Sequence, residues 1–353
     1  MPEQMKAIVC RKWGQPSELT YESINRPALR KGEVLVQVQA CSVNYPDMLL
    51  VAGKYQAKPE FPFIPGSDVA GIVCKAADDD SMYSPGDRVM TSIPHGGFAE
   101  YVSCPENRLI PIPEGMSLKS AAASMMVHGT SYYALKQRAK LKRGETLLVL
   151  GAAGGCGMAA VMLGKAMGAK VIAAASTQEK MAAALKAGAD EVVQYTKVDL
   201  KKTVKQLTKK KGVDVIFDPV GGDFAQKAVR CMAWGGRYLV IGFAAGSIPK
   251  IPANLLLLKS CALVGVFWGA WVKRNPMGAL QNMGEIAQMM QEGKLTDMVS
   301  KIYSLKDTWQ ALDDLKNRRV IGKIVVIPEA AGKPSLLISN KPQSQKQLYL
   351  SKL

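Results

Sequence analysis

The order of apolar and polar residues changes near residue 117 and divides the chain into two kinds of region. Before that point, segments 6–13 and 32–43 have the alternation and β-branched residues of strands, with Pro and Gly turns around them. After it, strands and helices alternate. The first region predicts a small, irregular, barrel-like sheet, and the second predicts a parallel sheet with helices on both faces.

In the second region, the type and length of each apolar run separate strands from helices. The strands are predicted at 145–150, 170–176, 191–195, 213–220 and 237–243, and the helices at 117–139, 155–168, 177–188, 199–212 and 224–236. Four later elements do not continue this alternation: strands at 261–268 and 320–327, and helices at 277–295 and 308–319. We expect these last elements to return to the first of about two domains.

A glycine-rich turn joins the first of these strands to the helix that follows it. The strand runs into the segment GAAGGCG at 151–157, and a helix begins there. Glycine permits backbone angles and close approaches that a side chain forbids, and the N–H groups at a helix start favour an anionic pyrophosphate. In a strand–turn–helix context, this pattern predicts dinucleotide binding.

The tip of the next strand distinguishes between the two nicotinamide dinucleotides. An NAD-binding chain places an acidic residue there for the ribose 2′-hydroxyl, whereas this strand ends at Ser176, and Glu179 falls inside the following helix. Ser176 can donate a hydrogen bond to a 2′-phosphate, and Lys180, one helical turn further, can pair with it. This arrangement favours NADPH; the alternative is that Lys180 is an ordinary solvated residue of the helix.

The net charge of +17, from 46 basic and 29 acidic residues, is compatible with nucleic acid and other anionic partners. Much of that charge is local, since segment 197–211 contributes +6 and the tail 331–353 contributes +4. We interpret the first as a solvated helix face and the second as a tail that the fold does not need. The sequence shows no RNA-binding motif with interleaved aromatic residues, so nucleic acid is disfavoured as a partner.

Cysteine and histidine usage limits the possible chemistry. The seven cysteines include no C-x-x-C pair, which disfavours a disulfide framework and a zinc ribbon and favours isolated buried thiols in a reducing compartment. Only His95 and His128 are present, so a site with several histidine ligands is excluded. The most apolar stretch, 261–272, is too short for a membrane span, which needs about 20 residues.

Both chain ends bear on localisation. The first residues contain no apolar signal core and no Arg- and Ser-rich presequence. The last three residues, Ser351, Lys352 and Leu353, match a peroxisomal address that an import receptor recognises. We therefore expect the peroxisomal matrix and binding of the import receptor through these residues; the alternative is a cytoplasmic protein with an accidental ending.

Nine segments form an ordered set along the chain. They are SVNYPDMLLVAGKY (42–55), FPFIPGSDVAG (61–71), PGDRV (85–89), GGFAEYV (96–102), HGTSYYAL (128–135), LGAAGGCG (150–157), ADEVVQY (189–195), VIGFAAG (240–246) and IGKIVV (321–326). Together, over residues 1–328, they resemble the zinc-independent medium-chain dehydrogenase/reductases, specifically the NADPH:quinone oxidoreductase (zeta-crystallin-like) family. No single segment is decisive, but the ordered set is highly specific.

The resemblance implies an α/β fold in which a β-rich GroES-like catalytic domain holds both chain ends and a Rossmann domain, a doubly wound parallel sheet, is inserted in it. We place the catalytic domain at 1–124 and 269–330, the NADPH-binding Rossmann domain at 125–268, and a flexible tail with the targeting signal at 331–353. Most such relatives dimerise through the late strand of the cofactor domain. Segment 261–268 is apolar enough for that role, so we expect a homodimer.

Zinc-dependent relatives need a cysteine where this chain has Asn44 and a histidine where it has Ser67. The loop at 95–105 is also too short to contain their four-cysteine structural zinc site. With neither thiolate nor imidazole at these positions, a tetrahedral zinc site lacks its ligands. We therefore expect no metal.

The resemblance also implies the site residues, position by position. Tyr55 matches a tyrosine near the nicotinamide that can polarise a carbonyl oxygen. Asn44 and Asp47 match an N-x-x-D motif at the edge of the cofactor site, with bracing of the loop as the alternative role for Asp47. A second family tyrosine is Leu49 here, which reduces the donor set and leaves substrate preference open.

The implied cofactor-binding residues, besides Asn44, fall into groups by the part of NADPH that they would contact. They are Thr130 near the nicotinamide; Gly154, Gly155, Cys156 and Gly157 at the pyrophosphate; Ser176, Lys180 and Tyr195 on the 2′-phosphate and adenosine side; Gly242, Phe243, Phe267, Trp268 and Gly269 around the nicotinamide; and Arg318 over the phosphate, with neighbouring Arg319 as the alternative.

The implied reaction is hydride transfer from NADPH to a quinone or related conjugated carbonyl. Tyr55, Asn44 and backbone N–H groups would donate hydrogen bonds to the anion that forms, and water would supply the final proton. The alternatives are an enoyl-CoA or 2-alkenal double-bond reductase on the same fold and a non-catalytic NADPH-binding protein. The resemblance does not assign a role to two further residues. His128 is expected at a helix start, and Cys156 is either a redox-sensitive thiol or a small residue that fits the glycine turn.

Overall fold

The computed structural model describes residues 3–329, which form two compact units. Unit 1 contains the described residues up to Met126 and those from Met298 onward, and unit 2 is Val127–Asp297. The predicted α/β fold with a parallel sheet is confirmed. The predicted tail at 331–353 and its targeting signal lie outside the described residues.

The strands are numbered along the chain. They are β1 (Gln4–Val9), β2 (Thr20–Asn25), β3 (Glu33–Val43), β4 (Asp68–Ala76), β5 (Arg88–Ser92), β6 (Tyr101–Pro105), β7 (Ile110–Pro111), β8 (Thr146–Leu150), β9 (Lys170–Ala175), β10 (Glu191–Gln194), β11 (Val213–Asp218), β12 (Met232–Val240), β13 (Ala262–Gly265), β14 (Val299–Ser304) and β15 (Lys323–Ile327).

The α-helices are numbered in the same way. They are α1 (Tyr45–Val51), α2 (Leu118–Tyr133), α3 (Gly155–Ala166), α4 (Gln178–Lys186), α5 (Leu200–Leu207), α6 (Phe224–Val229), α7 (Ala253–Leu257), α8 (Trp268–Arg274), α9 (Pro276–Gln291) and α10 (Thr308–Lys316). One π-helical turn, Ala134–Arg138, follows α2.

Unit 1 is organised around β3, which pairs antiparallel with β4, β6 and β15. The sheet has the order β14-β15-β3-β4-β5-β7, and β1 and β2 form a separate antiparallel pair. Val34, Val36 and Val38 alternate along β3 and are buried in the main core of this unit. The register sets Ser42 opposite Asp68 and Val43 opposite Ile324, so three distant segments meet where β3 ends.

Unit 2 contains a six-stranded parallel sheet in the order β10-β9-β8-β11-β12-β13. The chain moves outward from β8 to β10 on one side and then from β11 to β13 on the other. The carboxyl ends of these strands therefore lie at one edge, and the reversal falls between β8 and β11, where doubly wound folds bind their ligands.

Among the predicted boundaries, two differ most from the structure. Helix α6 ends at Val229 and β12 begins at Met232, so the second half of the helix predicted at 224–236 is strand. The second domain boundary, predicted after residue 268, falls after Asp297, so α8 and α9 belong to unit 2. The reason is side-chain contact within that unit, since Trp271 stacks on Tyr133 at 4.5 Å and Glu285 pairs with Lys136.

All seven cysteines lie in the described part of the chain, and none is in a disulfide. Four of them, Cys10, Cys41, Cys104 and Cys231, are buried. Within residues 3–329, no helix combines the length and apolar character that crossing a membrane requires.

Candidate functional site

The glycine turn predicted to bind a dinucleotide lies at the carboxyl end of β8, where α3 begins. Gly154 is the N-cap of α3 and donates its N–H to the Gly151 carbonyl at 3.0 Å. Gly151 has φ +58°, a left-handed conformation that favours glycine. The first N–H groups of the helix have no acceptor within the helix, so this end of α3 can receive an anion.

Gly154 and Gly157 are glycines for different physical reasons. A Cβ at Gly157 would lie 2.2 Å from the Gly151 carbonyl oxygen and 2.9 Å from the Ala152 Cα, so only glycine lets α3 lie this close to the turn. A Cβ at Gly154 would meet only the Gly151 oxygen, at 3.5 Å, which is ordinary contact. The fold therefore requires Gly157, whereas glycine at 154 leaves open surface at the helix start.

The predicted 2′-phosphate residues meet at the same edge of the unit 2 sheet. Ser176 follows β9, and its carbonyl accepts hydrogen bonds from Gln194 and Thr196. Thr177 caps α4 by accepting the Lys180 N–H at 3.2 Å, which fixes the first turn that bears the lysine. Tyr195 donates its N–H to the Ala175 carbonyl at 3.3 Å. The strand β9 therefore ends at a serine with a lysine and a tyrosine beside it.

The other predicted residues of unit 2 belong to two local groups. Phe243 lies over the turn after β11, where a Cβ on Gly221 would be 2.9 Å from its ring, and neighbouring Gly242 donates its N–H to Asp218. Trp268 lies against Gly129, where a Cβ would be 2.6 Å from the indole, and Gly129 adjoins Thr130 in α2. Phe267 and Gly269 flank Trp268 and are exposed.

Cys156 and His128 lie close to these groups. The Cys156 carbonyl accepts a hydrogen bond from the Ser131 hydroxyl at 2.9 Å, which ties the glycine turn to α2. His128, expected at a helix start, lies in the second half of α2 and is buried. Its role as a helix-start residue was therefore a wrong prediction.

Unit 1 places its predicted residues in a buried polar cluster where β3 ends and α1 begins. Asn44 is the N-cap of α1 and donates its backbone N–H to Asp47 at 2.8 Å. Its side-chain amide donates to Asp68 at 3.1 Å and to the Ser42 hydroxyl at 3.2 Å. The amide oxygen accepts from Lys323 at 2.6 Å. Both amide N–H groups of Asn44 are therefore engaged within the protein.

Two carboxyl groups share this cluster, and burial raises the pKa of both. The pKa of Asp47 rises to about 7 because the group is fully buried, although hydrogen bonds from Asn44 and Ser67 oppose the shift. The pKa of Asp68 is also raised by burial, against the Lys323 charge and hydrogen bonds from Ser92 and the Met126 N–H. Asp47 therefore has both a capping role for α1 and an electrostatic role.

Tyr55 is half-buried beside this cluster. It packs with Trp13 against a small core that includes Leu50 and Phe63. Burial and the Asp47 charge raise the pKa of the Tyr55 phenol, so the hydroxyl keeps its proton at neutral pH and can donate a hydrogen bond. The structure thus brings together the three residues predicted to be catalytic, within unit 1.

Two neighbouring arginines follow α10 in unit 1 and differ in their partners. Arg319 pairs with Asp314 at 2.7 Å and with Asp313 at 2.6 Å. Arg318 has φ +59° and lies close enough to Tyr45 for its charge to oppose the rise in that phenol's pKa. Arg319 is therefore fixed on carboxylates, and the charge of Arg318 acts on Tyr45 at the start of α1.

The sequence analysis missed three buried polar residues at these sites. Lys323 and Asp68 complete the cluster around Asn44, and Asp218 ends β11 with hydrogen bonds from the Val220 and Gly221 N–H groups. An acidic residue that ends a buried strand, as in VIFDPV, was a usable signal for Asp218. Lys323 gave no local signal as a partner of Asn44, since it lies 279 residues away.

The described residues contain no group of three or more His, Cys, Asp or Glu side chains placed to hold a metal ion. Asn44 and Ser67, the positions at which the resemblance implies the ligands of zinc-dependent relatives, are hydrogen-bonded to Asp68 and Asp47. Amide and hydroxyl groups are poor zinc ligands compared with thiolate and imidazole. The residues present do not fit a zinc site.

Two family models match the chain. The alcohol dehydrogenase GroES-like domain matches residues 30–114, and the zinc-binding dehydrogenase domain matches residues 155–285. The first range lies in unit 1 and the second in unit 2. The predicted combination of a GroES-like part and a Rossmann-like part is confirmed.

Known proteins with similar sequences and structures cover nearly the whole chain. The quinone oxidoreductase-like protein 2 homolog of Nematostella vectensis is 37% identical over 91% of this chain and 88% of its own length. Human quinone oxidoreductase is 31% identical over 92% and 98%. The solved quinone oxidoreductase of Escherichia coli, complexed with NADPH, has a TM-score of 0.84 at 28% identity and covers 92% and 100% of the two chains.

The glycine turn at the start of α3, the fold of both units and these relatives agree on one family of oxidoreductases. The chain belongs to the medium-chain dehydrogenase/reductase family, among relatives named quinone oxidoreductase or quinone oxidoreductase-like.

Proposed function

We propose that the protein is an NADPH-dependent oxidoreductase that reduces quinones or related conjugated carbonyls without a metal ion. The observation that supports the cofactor most directly is the group of Ser176, Lys180 and Tyr195 at the carboxyl edge of unit 2. A carboxylate at the tip of β9 would repel a 2′-phosphate, and a serine stands there instead. The lysine adds a cation that NADPH can use and NADH cannot.

The start of α3 fits the pyrophosphate of such a cofactor. The N-terminus of a helix favours an anion, because its first N–H groups have no acceptor within the helix, and the glycine at 154 leaves room for one, since a Cβ there meets only one atom at 3.5 Å. Solved relatives from E. coli and Thermus thermophilus are described as NADPH complexes. These observations support NADPH as the cofactor of this chain.

Bound NADPH supplies the hydride, and the protein supplies binding, orientation and hydrogen bonds. We assign Tyr55 as the side chain of unit 1 that donates to the substrate oxygen as negative charge develops on it, because it is a half-buried phenol close enough to feel the charge of Asp47, and a phenol keeps its proton at neutral pH. Asn44 orients the start of α1 instead, because its amide N–H groups already bind Asp68 and Ser42. Water then supplies the proton that completes the two-electron reduction.

The absence of a metal step is part of the proposal. Support comes from Asn44 and Ser67, which offer neither thiolate nor imidazole, and from their engagement with buried carboxyl groups. A carbonyl oxygen must then be polarised by hydrogen bonds alone, which suits an already electrophilic quinone or enone better than an alcohol.

The test is stopped-flow oxidation of NADPH and NADH with 9,10-phenanthrenequinone, trans-2-alkenals and enoyl-CoA esters. We expect turnover with the quinone and a preference for NADPH of at least about tenfold in kcat/KM, equal to about 1.4 kcal/mol. Turnover only with alkenals or enoyl-CoA would assign the double-bond reductase instead. Tight NADPH binding without turnover of any acceptor would reject both enzymes and leave a non-catalytic NADPH-binding protein.

We also propose that the protein is a homodimer through β13. This strand ends the unit 2 sheet, and its neighbourhood exposes large apolar side chains, including Leu263 (46% exposed) and Phe267 (56% exposed). An open, apolar edge strand is a template for pairing with another chain. Light scattering should give the dimer mass, and Leu263→Lys should shift it toward the monomer; a monomeric wild type would reject the proposal.

Peroxisomal import through Ser351, Lys352 and Leu353 is the proposed route to the compartment. A fluorescent fusion that keeps these residues at the free C-terminus should enter peroxisomes, whereas a fusion without them should stay in the cytoplasm. Equal distribution of the two fusions would contradict the proposal and favour the cytoplasmic alternative.

A further inference from the structure

Positive charge is concentrated at the amino edge of the unit 2 sheet, where its strands begin, opposite the edge of the proposed cofactor site. The turns that lead into β8, β11, β12 and β13 carry eight basic residues: Lys140, Lys142, Arg143, Lys209, Lys210, Lys211, Arg230 and Lys259. These four strands are neighbours, so the turns lie within three strand spacings, or about 14 Å. All of the eight side chains except that of Lys259 are exposed. Together with Trp234, they form the amino-edge surface.

The protein does not neutralise these charges within the part of the chain that the structure describes. Between residues 3 and 329, none of the eight basic residues forms an ion pair. The acidic residues of the same turns and strand starts are Glu145 and Asp214. Glu145 pairs with Arg237 at 2.7 Å, and Asp214 accepts the N–H of Thr146 at 2.7 Å. The surface is therefore left with an excess of positive charge.

Helix α5 adds to this charge. Its end at Leu207 places the run of three lysines at 209–211 in the turn that follows, not on the helix face. The pKa of Lys259 is lowered by partial burial and by the positive charges of Lys205 and Lys201 on the helix. The basic residues of α5 and those of the turn before β13 therefore act on one another.

The backbone of these turns is unusual at its lysines. Of the five non-glycine residues with positive φ between residues 3 and 329, four lie here: Lys140 (49°), Lys209 (48°), Lys210 (67°) and Ser260 (51°). Glycine takes this conformation without the steric cost that a side chain adds. A cation is favourable anywhere in the last turn of a helix, so helix stability does not require lysine at the left-handed positions themselves. Their presence favours a function for the exposed charge.

A tryptophan lies among these charges. Trp234, near the start of β12, is 75% exposed. On one side, neighbouring Gly235 donates its N–H to the Lys259 carbonyl at 2.8 Å. On the other side, Gly212, which follows the lysine turn, lies so close that its Cβ would be 2.8 Å from the N of Ala233. Tryptophan is enriched where a membrane meets water, because its ring is both apolar and polar.

The types of residue in this surface distinguish between anionic partners. Six of the eight basic residues are lysines, which act as hydrated point charges, whereas arginine makes the bidentate contacts typical of base recognition. Proteins bind single-stranded nucleic acid by stacking bases on several aromatic side chains. Trp234 is the only aromatic residue of segments 139–146, 208–214, 230–236 and 258–262. About four to eight basic residues with an aromatic anchor are typical of proteins that bind anionic lipid surfaces.

We propose that the amino-edge surface docks the protein on an anionic lipid bilayer, with the basic residues facing the headgroups and Trp234 entering the interface. Charge attraction and burial of one indole are each weak, so the binding is reversible and sensitive to salt. The proposed cofactor residues of unit 2 lie at the opposite edge of the sheet and take no part in docking. The proposal does not depend on the reaction and is tested without it.

The test is co-sedimentation of the full chain with lipid vesicles. The protein should bind vesicles of phosphatidylcholine with about 30% phosphatidylserine and not those of phosphatidylcholine alone. Raising NaCl from about 0.1 M to about 0.5 M should weaken binding at least about tenfold, because salt screens exposed charges. Lys209→Gln/Lys210→Gln/Lys211→Gln should also weaken it at least about tenfold. Absence of binding, equal binding to both kinds of vesicle, or wild-type binding by this variant would overturn the proposal.

The matched control removes the same charge elsewhere. Lys31, Lys75 and Lys119 are exposed residues of unit 1 that form no ion pair within residues 3–329. Their triple substitution to Gln should leave vesicle binding at the wild-type value. Both triple variants should keep the wild-type melting temperature, because the side chains replaced are exposed. Equal loss of binding in the two would show that net charge alone drives binding and would overturn the proposal.

Tryptophan fluorescence tests the insertion of the indole. Vesicles that contain phosphatidylserine should shift the emission of the wild type to shorter wavelength, and Trp234→Phe should remove that shift. No shift in the wild type, or the same shift in Trp234→Phe, would overturn the placement of this surface against lipid. Binding of a single-stranded RNA oligonucleotide but not of vesicles, lost in the variant of Lys209, Lys210 and Lys211, would assign the surface to nucleic acid and would also overturn the proposal.

Discussion

Asn44 in unit 1 and Ser176 in unit 2 each directly follow the last residue of a strand, β3 and β9, yet their surroundings differ. Asn44 is 3% exposed, and its amide and N–H contact Ser42, Asp47, Asp68 and Lys323. Ser176 is half-buried at the open edge of a parallel sheet, with Lys180 one helical turn away. One polar group is held by the protein, and the other lies where we propose that the cofactor binds.

This difference indicates at which of the two sites a substitution can change ligand binding without changing the stability of the fold. In the unit 1 cluster, each polar atom satisfies another buried polar atom, so a substitution there changes the energy of the fold as well as the reaction. At the unit 2 edge, the fold depends on β9, β10 and the cap of α4, and we expect that the side chains proposed to bind the cofactor can change with little effect on it. Substitutions at the two sites should therefore separate loss of binding from loss of stability.

The glycine turn contains one residue of each kind. Gly157 is required by the fold, as the polar residues of the unit 1 cluster are, whereas Gly154 should affect mainly cofactor binding, as the residues at the unit 2 edge should. Gly157→Ala should abolish NADPH binding and cost about 3 kcal/mol of unfolding free energy, because its Cβ would lie 2.2 Å from a backbone oxygen. Gly154→Ala should weaken NADPH binding at least about tenfold while costing under about 1 kcal/mol, since the turn has room for the methyl group. Denaturant unfolding and cofactor fluorescence measure the two quantities.

The control for this pair is internal, because both variants add the same methyl group three residues apart. Equal losses of stability in the two variants would contradict the distinction. Unchanged NADPH binding in Gly154→Ala would remove the start of α3 from the cofactor site.

The same distinction explains what the sequence could predict. The glycine turn and the serine at the end of β9 depend on local order along the chain, and the structure places them as expected. The cluster at Asn44 depends on the register of β3 with β4 and β15, which no local pattern reveals. The assignment of α8 and α9 to the wrong domain has a similar cause, since contacts such as Trp271 on Tyr133 decide it.

Ser176→Asp places a carboxylate at the tip of β9 and should invert the cofactor preference. We expect NADPH affinity to fall about a hundredfold, or about 2.7 kcal/mol, because the carboxylate repels the 2′-phosphate. NADH affinity should rise, because the carboxylate can accept hydrogen bonds from the ribose hydroxyls. Titrations with both cofactors measure the change, and Lys186→Met, an exposed lysine at the end of the same helix, is the neutral control. A parallel loss of both affinities would mean that the edge does not bind the 2′ position.

Asp47 gives the buried cluster a signature in the pH dependence of stability. Burial raises its pKa to about 7, above the value of about 3.9 for an unfolded chain. Between these values the folded chain binds more protons, so the contribution of Asp47 to the unfolding free energy is complete below about pH 4 and falls as pH rises, by up to about 1.4 kcal/mol per unit. Asp47→Asn should reduce this slope in urea unfolding between about pH 4 and 7, and Asp68, whose pKa burial also raises, should account for part of what remains. The exposed residue Asp80 provides the control substitution to Asn, and the same slope in wild type and Asp47→Asn would contradict the assignment.

The smallest expected effect distinguishes Arg319, which two carboxylates hold in place, from adjacent Arg318, which we propose to contact a phosphate of the cofactor. Arg319 is paired with Asp313 and Asp314, and Arg319→Ala should cost at most about 1 kcal/mol of stability, as expected for a half-exposed ion pair. Its NADPH affinity should stay at the wild-type value. Arg318→Ala should weaken NADPH binding about fivefold, because one charge-assisted contact to a phosphate is lost. If Arg319→Ala weakens NADPH binding and Arg318→Ala does not, Arg319 is the arginine that contacts the phosphate. A residue held by ion pairs would then also bind the ligand. The distinction between residues that hold the fold and residues that bind the cofactor would fail at this position.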